Sequence, residues 1–204
     1  MKKTLYIFRH GETDWNKAKR FQGHSDIDLN DLGREQASAL QSVLAQVHPQ
    51  LIVSSDLSRA YNTAVIAAQK LMNVKPDLKI LKTPLLREAH LGDVEGLERD
   101  VIAQRYGPDF IEKWFDPNFH DFQFPNGESK SDHMARLVKV IDQILTDHSH
   151  FERFGISTHG GSVHRLIHYC ENRPEERIFI TNGSLHEVEI DVVARRWLYK
   201  GQLS

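Results

Sequence analysis

Three short apolar runs, LYIF at 5–8, LIVSS at 51–55 and FGIST at 154–158, recur along the chain with helix-periodic stretches between them. Such short runs, bounded by polar residues, read as buried strands. Between the first two, Leu32 to Val47 places Leu40, Val43, Leu44 and Val47 on one helical face. A second helical stretch carries Ala60, Ala64, Ala67, Ala68 and Leu71, Pro76 closes it, and KILK at 79–82 reads as a further strand. Met134, Leu137, Val138, Ile141, Ile144 and Leu145 form the stripe of a long amphipathic helix. After FGIST the chain turns at His159-Gly160-Gly161 into a helix bearing Val163, Leu166 and Ile167. SLHEVEID and RRWLY, at the end, read as a β-hairpin or two late strands. Alternating strands and helices predict an α/β fold, a three-layer αβα arrangement around a mostly parallel central sheet. Residues 90–128 break the alternation with Phe110, Trp114, Phe115, Phe119, Phe122 and Phe124 among Pro108, Pro117 and Pro125. They are expected to form a lid insertion folded over the sheet's edge, inside a single domain spanning 1–204.

The chain's 204 residues suit one sizeable core, and a net charge of −2 gives no reason to expect a polyanionic partner. No basic run is interleaved with aromatics, which argues against nucleic-acid binding. A single cysteine, Cys170, excludes an internal disulfide and a multi-cysteine metal site, and fits a reducing compartment. MKKTLYIF imitates the start of a signal peptide, but Arg9 and His10 cut the apolar run short. No run approaches a membrane span. A cytoplasmic protein without membrane association is the expectation.

Ligands of parallel sheets bind just beyond the carboxyl ends of the strands. The first strand delivers Arg9, His10 and Gly11 there, the second Ser54, Ser55 and then Arg59, and FGIST delivers Thr158, His159 and Gly160. Two guanidinium groups and two imidazoles on one rim suit a tetrahedral anion, because arginine's forked donors match phosphate oxygens. Gly11 and Gly160 are expected to admit backbone N–H groups to that anion, and the helix after Gly160 points its positive end inward. A neutral histidine is also a nucleophile toward phosphorus. The surrounding cations would neutralise charge as the transition state develops. Glu88, in LLREAHLGD, is placed to protonate a leaving alkoxide.

Blander readings stand beside these. Alone, Arg59 is a surface arginine, but Ala60, Thr63 and Ala64 beside it favour a functional one. Glu88 could simply pair with Arg87. His164 and His168, four apart on one helix face, could share a metal, yet no HExxH context or carboxylate cluster accompanies them. His148 and His150 read as solvated helix-end residues, and the aromatic run from Phe110 to Phe124 as the insertion's own small core.

The segments RHGETDWN (9–16), FQGHSDIDLNDLG (21–33), SSDLSRAYNTA (54–64), REAHLGDVEG (87–96) and STHGG (157–161), taken together, resemble the histidine phosphatase superfamily in its phosphoglycerate mutase-like branch. They occur in that family's order and span residues 5 to about 165. The resemblance implies that His10 is the phosphorylated nucleophile, clamped about by Arg9, Arg59 and His159. It makes Glu88 the proton donor to the leaving group and then the base that activates water. Asn16 would contact phosphate or substrate, Gly160 would line the phosphate site, and Thr13, Gln22 and Gly23 would line its mouth. No metal and no cofactor is implied, and the partner would be a small-molecule phosphate ester. The chain departs from the pattern at Asp28, where proline is frequent, at Val94, where tryptophan is common, and at His164, with Arg165 following an expected arginine position.

Three activities fit this resemblance: a phosphatase, a phosphoglycerate mutase, and a silent binding module that kept only the pocket. Mutases of the family carry a longer insertion with an arginine pair after a tryptophan, whereas KWFDPNFHDF (113–122) follows Trp114 with Phe115 and Asp116. Hydrolysis is therefore expected, with broad or metabolite-level selectivity extending to sugar phosphates or α-ribazole 5′-phosphate. A silent module has no use for a nucleophile and a proton donor together. The aromatic, weakly acidic lid is expected to favour a leaving group with an apolar or planar part over a small polyanion. Because Glu88 must carry a proton when the ester breaks, activity is expected to favour mildly acidic pH.

Overall fold

Alternate side chains of a strand face opposite sides, and in β1 (Lys2–Arg9) this divides the hydrophobic core in two. The structure, a computed structural model, describes residues 1–116, 119, 121–174 and 178–204. Leu5 and Ile7 join one apolar cluster, Tyr6 and Phe8 the other. The same split occurs in β2 (Leu51–Ser55), with Leu51 and Val53 on the first side and Ile52 on the second. Each side is covered by helices. On the second side lie α2 (Asp31–Val47) and α3 (Ser58–Val74), following the short α1 (Asp14–Lys17). Leu40 and Leu44 of α2 and the alanine face of α3 pack there against Ile52 and Phe8.

The first side is covered by α6 (Lys130–Asp147) and α7 (Gly160–Tyr169), through Leu137, Ile141, Val163 and Leu166. Local signals start these helices where they are needed. Asn30 accepts from the Gly33 amide at 2.9 Å to cap α2, and Ser129 accepts from the Asp132 amide at 3.0 Å to cap α6.

Strands β3 (Ile80–Thr83), β4 (Arg153–Thr158), β5 (Leu185–Asp191) and β6 (Arg196–Gln202) complete a six-stranded sheet in the order β3-β2-β4-β1-β5-β6. β3, β2, β4 and β1 run parallel, and β5 and β6 pair antiparallel at the far side. The expected three-layer αβα fold with a mostly parallel sheet is the one observed. Because β2, β4 and β1 are neighbours, their carboxyl ends stand side by side, with Arg9 opposite Thr158 and Ser54 opposite Ser157.

Residues 90–128 carry α4 (Arg99–Tyr106) and α5 (Phe110–Phe115). Leu91, Val94, Ile102, Ile111 and Phe124 form a separate small apolar cluster there, with Phe110, Trp114 and Phe122 packed on it. Part of the aromatic run is thus core, while Trp114 and Phe115 also face a cavity at the strand ends. Pro117, Asn118 and His120 of that stretch lie outside the described residues. Among the described residues no helix is long and apolar enough to cross a membrane.

Candidate active site

The chain leaves β1 at His10, whose amide still donates to the Thr158 carbonyl of β4 at 3.0 Å. This last sheet bond fixes where the imidazole starts. Gly11, next along, serves packing and not anion approach. Its amide donates to Thr63 Oγ1 at 3.0 Å, and a Cβ on it would stand 2.2 Å from the Gly33 carbonyl oxygen. The expectation that Gly11 opens the backbone to a phosphate is corrected: its missing side chain makes room for the start of α2.

His10 is 3 % exposed, and its Nδ1 lies 2.7 Å from the Gly11 carbonyl oxygen. A carbonyl only accepts, so the proton sits on Nδ1 and Nε2 keeps its lone pair. Burial, then the Arg59 and Arg9 charges, hold this imidazole well below its ordinary 6.5, leaving it neutral at physiological pH. The His159 ring stands edge-on, 5.2 Å away between centroids. His159 Nε2 lies 2.9 Å from Ser55 Oγ, which itself accepts from the Leu57 amide at 3.4 Å. With the Ser55 hydroxyl assigned as donor to Nε2, the His159 proton sits on Nδ1.

Arg59 is not a surface residue. It is 1 % exposed in the first turn of α3, donating from its terminal nitrogens to the Ser25 carbonyl at 2.7 Å and the Gly23 carbonyl at 2.8 Å. Arg9 donates to the Ile180 carbonyl at 2.7 Å. Burial lowers both guanidinium groups to about 10, opposed by the Glu88 charge, and both stay cationic at neutral pH. Three buried nitrogens, Arg9 Nε, Arg59 Nε and His159 Nδ1, have no partner among the described residues. Each unsatisfied donor costs ~1–3 kcal/mol. All three side chains line the cavity that holds His10. A tetrahedral oxyanion there offers the acceptors they lack.

Glu88 approaches from the loop after β3. Its Oε2 accepts from the Gly161 amide at 2.7 Å and its Oε1 from the Ala89 amide at 3.0 Å. A Cβ on Gly161 would stand 2.5 Å from Oε1, so only glycine admits the carboxyl to the start of α7. The Glu88–Arg87 pairing is not formed: Arg87 holds Asp56 through two bonds of 2.7 and 2.6 Å. The Glu88 carbonyl is instead fixed by Arg136 at 3.1 Å and by His24 Nε2 at 2.9 Å. Behind the carboxyl lies the fully buried His133. Its Nδ1 accepts from Arg165 Nε at 3.0 Å, which leaves a proton on Nε2, 3.8 Å from Glu88 Oε1 and 3.1 Å from Ser162 Oγ.

The structure brings His10, Arg9, Arg59, His159, Glu88, Asn16, Gln22, Gly23 and Gly160 together around one cavity of about 1400 Å³. Thr13 is not at its mouth. It is fully buried, its hydroxyl accepting from the Asn16 amide at 3.1 Å as the cap of α1. Asn16 is steadied by Asn182, which donates to it at 3.2 Å and to the His10 carbonyl at 3.0 Å. Gly160 has its missing Cβ 3.1 Å from Arg9 Nε, so it clears the guanidinium's path. The His164 and His168 rings stack at 4.2 Å in the cavity wall, and no group of three or more candidate metal ligands exists among the described residues. His133, Lys130, Arg165 and Asn182 are parts of this site that the strand-end reading passes over.

The sequence model of the histidine phosphatase superfamily, branch 1, matches residues 5–199. A glucosyl-3-phosphoglycerate phosphatase of Mycolicibacterium vanbaalenii is 37% identical over 174 residues, covering 79% of this chain and 71% of that protein. A 2,3-bisphosphoglycerate-dependent phosphoglycerate mutase of Rhizobium etli is 30% identical over 193 residues, covering 89% and 86%. The solved structure of a mycobacterial glucosyl-3-phosphoglycerate phosphatase in complex with VO3 superposes with a TM-score of 0.84 at 29% identity, covering 97% of each chain. With the family model matched along almost its whole length, the chain belongs to the histidine phosphatase superfamily.

Proposed function

We propose that this chain hydrolyses phosphate monoesters of small metabolites through a phosphohistidine formed on His10. The reading rests on one observation above the rest: three buried nitrogens with no partner among the described residues line the cavity of a neutral imidazole whose proton sits on Nδ1, leaving the Nε2 lone pair. His10 Nε2 attacks phosphorus in line with the ester oxygen. The P–O bond breaks as the Glu88 carboxyl gives its proton to the leaving oxygen. Arg9, Arg59 and the His159 Nδ1–H take the charge of the equatorial oxygens. Water then attacks phosphorus, its proton passes to the Glu88 carboxylate, and the P–N bond returns its electron pair to Nε2. Asn16, Gln22 and Gly23 line the entrance and Gly160 gives Arg9 clearance.

Relatives of both kinds, phosphatase and mutase, share the fold. Hydrolysis is favoured here because Phe115 and Asp116 follow Trp114 where mutases carry an arginine pair. The activities named for the relatives, on glucosyl-3-phosphoglycerate and, in an Arabidopsis protein 32% identical over 188 residues, on phosphoserine, set the substrate range from which selection should start. No metal or cofactor takes part in this scheme. Residues 1–204 act as one domain with 90–128 as its lid, in the cytoplasm, where a lone buried cysteine is at no disadvantage. Product analysis over a panel of monoesters is the test. Inorganic phosphate should appear at rates far above any 2- to 3-phosphoglycerate interconversion, and the reverse ratio would make the chain a mutase.

A further inference from the structure

A phosphate alone does not need a cavity of about 1400 Å³, nor the charge that this one carries. Among the described lining residues the only carboxylate is Glu88. Outside the Arg9–Arg59 clamp the wall holds Arg20, Lys130, Lys139, Arg165 and Arg173. These cations all lie outside residues 90–128, so the acidic balance of that segment does not set the charge of the cavity over which its Trp114 and Phe115 stand.

Two of those cations, one buried and one half-buried, are poorly satisfied. Lys130, at the start of α6, is 6 % exposed, with its Nζ 2.5 Å from the Asp116 carbonyl oxygen and 3.4 Å from that of Lys113. An ammonium has three protons, so one is left to spend. Arg165 of α7 uses Nε on His133 and lays its guanidinium 4.9 Å over the Trp114 ring. Its terminal nitrogens have no hydrogen-bond partner among the described residues. The direct polar partners of the two side chains are thus two backbone carbonyls and an imidazole nitrogen, none an anion. Asp116 acts on Lys130, and Glu88 and Glu128 on Arg165, only through space. Glu128 is itself held by Arg136 at 2.8 and 2.7 Å. Lys130 and Arg165 also repel each other. A buried ammonium beside a half-buried guanidinium, with no carboxylate bonded directly to either among the described residues, is costly, and an arriving anion relieves both.

Their position says which part of a substrate would bring that anion. Only the His133 imidazole separates Arg165 from Glu88, the group that protonates the leaving oxygen. The cations therefore lie on the leaving-group side of the reaction centre.

We propose that Arg165 and Lys130, beneath Trp114, form a subsite for a second anionic group on the substrate's leaving group, a carboxylate or a second phosphate. This rests on the monoester reading above and narrows it to dianionic or polyanionic esters with two charged ends.

The test is a series of short alkyl phosphates ending in a carboxylate, a phosphonate or a neutral carboxamide, which share the scissile bond. The charged members should exceed the carboxamide in kcat/KM by about tenfold or more, the size of one charge-assisted hydrogen bond. Which charged end is preferred tells carboxylate from phosphate. In Lys130→Met and Arg165→Met the charged-to-neutral ratio should collapse towards unity, a readout insensitive to any general loss of activity. A ratio near unity in the wild type, or one unchanged in both variants, would overturn the subsite alone. Failure to hydrolyse any member, the carboxamide included, would overturn the monoester reading and the subsite with it.

Discussion

His10 works as a nucleophile only if it is neutral and correctly protonated, and each condition has a separate cause here. Burial and two arginines keep it neutral, and the Gly11 carbonyl keeps its proton on Nδ1. In the proposed scheme Glu88 has the opposite task of lending a proton and then reclaiming one. Glu88→Gln should slow hydrolysis of alkyl phosphates by ~10²–10⁴-fold, the usual worth of a general acid. With p-nitrophenyl phosphate, whose leaving phenolate needs no proton, the same variant should show a stoichiometric burst of product and then slow turnover. An equal loss of both phases would mean that Glu88 does not act as the acid. At this scale the strand-end residues were legible in the sequence, because a parallel sheet predicts where its carboxyl ends meet. Thr13 carried a readable signal too: Thr13-x-x-Asn16 is a helix-capping pattern, and the structure uses it as one. Lys130, His133 and Arg165 were not legible. They occupy ordinary polar positions of two amphipathic helices, and only tertiary packing gives them partners: α6 against α7 for His133 and Arg165, and the end of α5 for Lys130.

Between elements, close approach of backbone decides the geometry. The turn after β1 and the first turn of α2 meet at Gly11 and Gly33, where a Cβ on Gly33 would lie 2.1 Å from the Glu12 carbonyl oxygen. Neither neighbour is a flexible side chain that could swing away. Gly11→Ala should therefore cost ~1–3 kcal/mol by overpacking, read as a lower urea midpoint, and should lower kcat/KM by displacing His10. Wild-type stability and activity in that variant would contradict the packing role. The helices and strands themselves were readable from periodicity, since apolar stripes at 3.6 and alternation at 2 residues are local properties. The two short helices within residues 90–128 were not, because α4 and α5 bury their aromatic residues against the 89–97 and 122–124 loops and not along one stripe.

For the whole molecule, neutral buried histidines set the acid limit. His10, His133 and His159 are held well below 6.5, burial being the first cause in each, and burial takes His186 down to about 4. In the unfolded chain each takes up a proton near 6.5, so below that pH the unfolded state binds more protons than the native one. Stability from these groups is complete above 6.5 and is lost as pH falls towards their native values, each contributing ~1.4 kcal/mol per pH unit. Urea unfolding across this range should give midpoints that hold above neutrality and fall steeply on the acid side, before carboxylates titrate. Midpoints that stay level or rise with acid would show that these imidazoles are charged in the native state.

The most direct measurement is a rapid quench of the enzyme turning over a ³²P-labelled monoester, followed by peptide mapping under alkaline conditions that preserve phosphohistidine. The label should be acid-labile, reside on the peptide containing His10, and vanish in His10→Ala. Turnover with no label on His10, or undiminished hydrolysis in His10→Ala, would contradict the account.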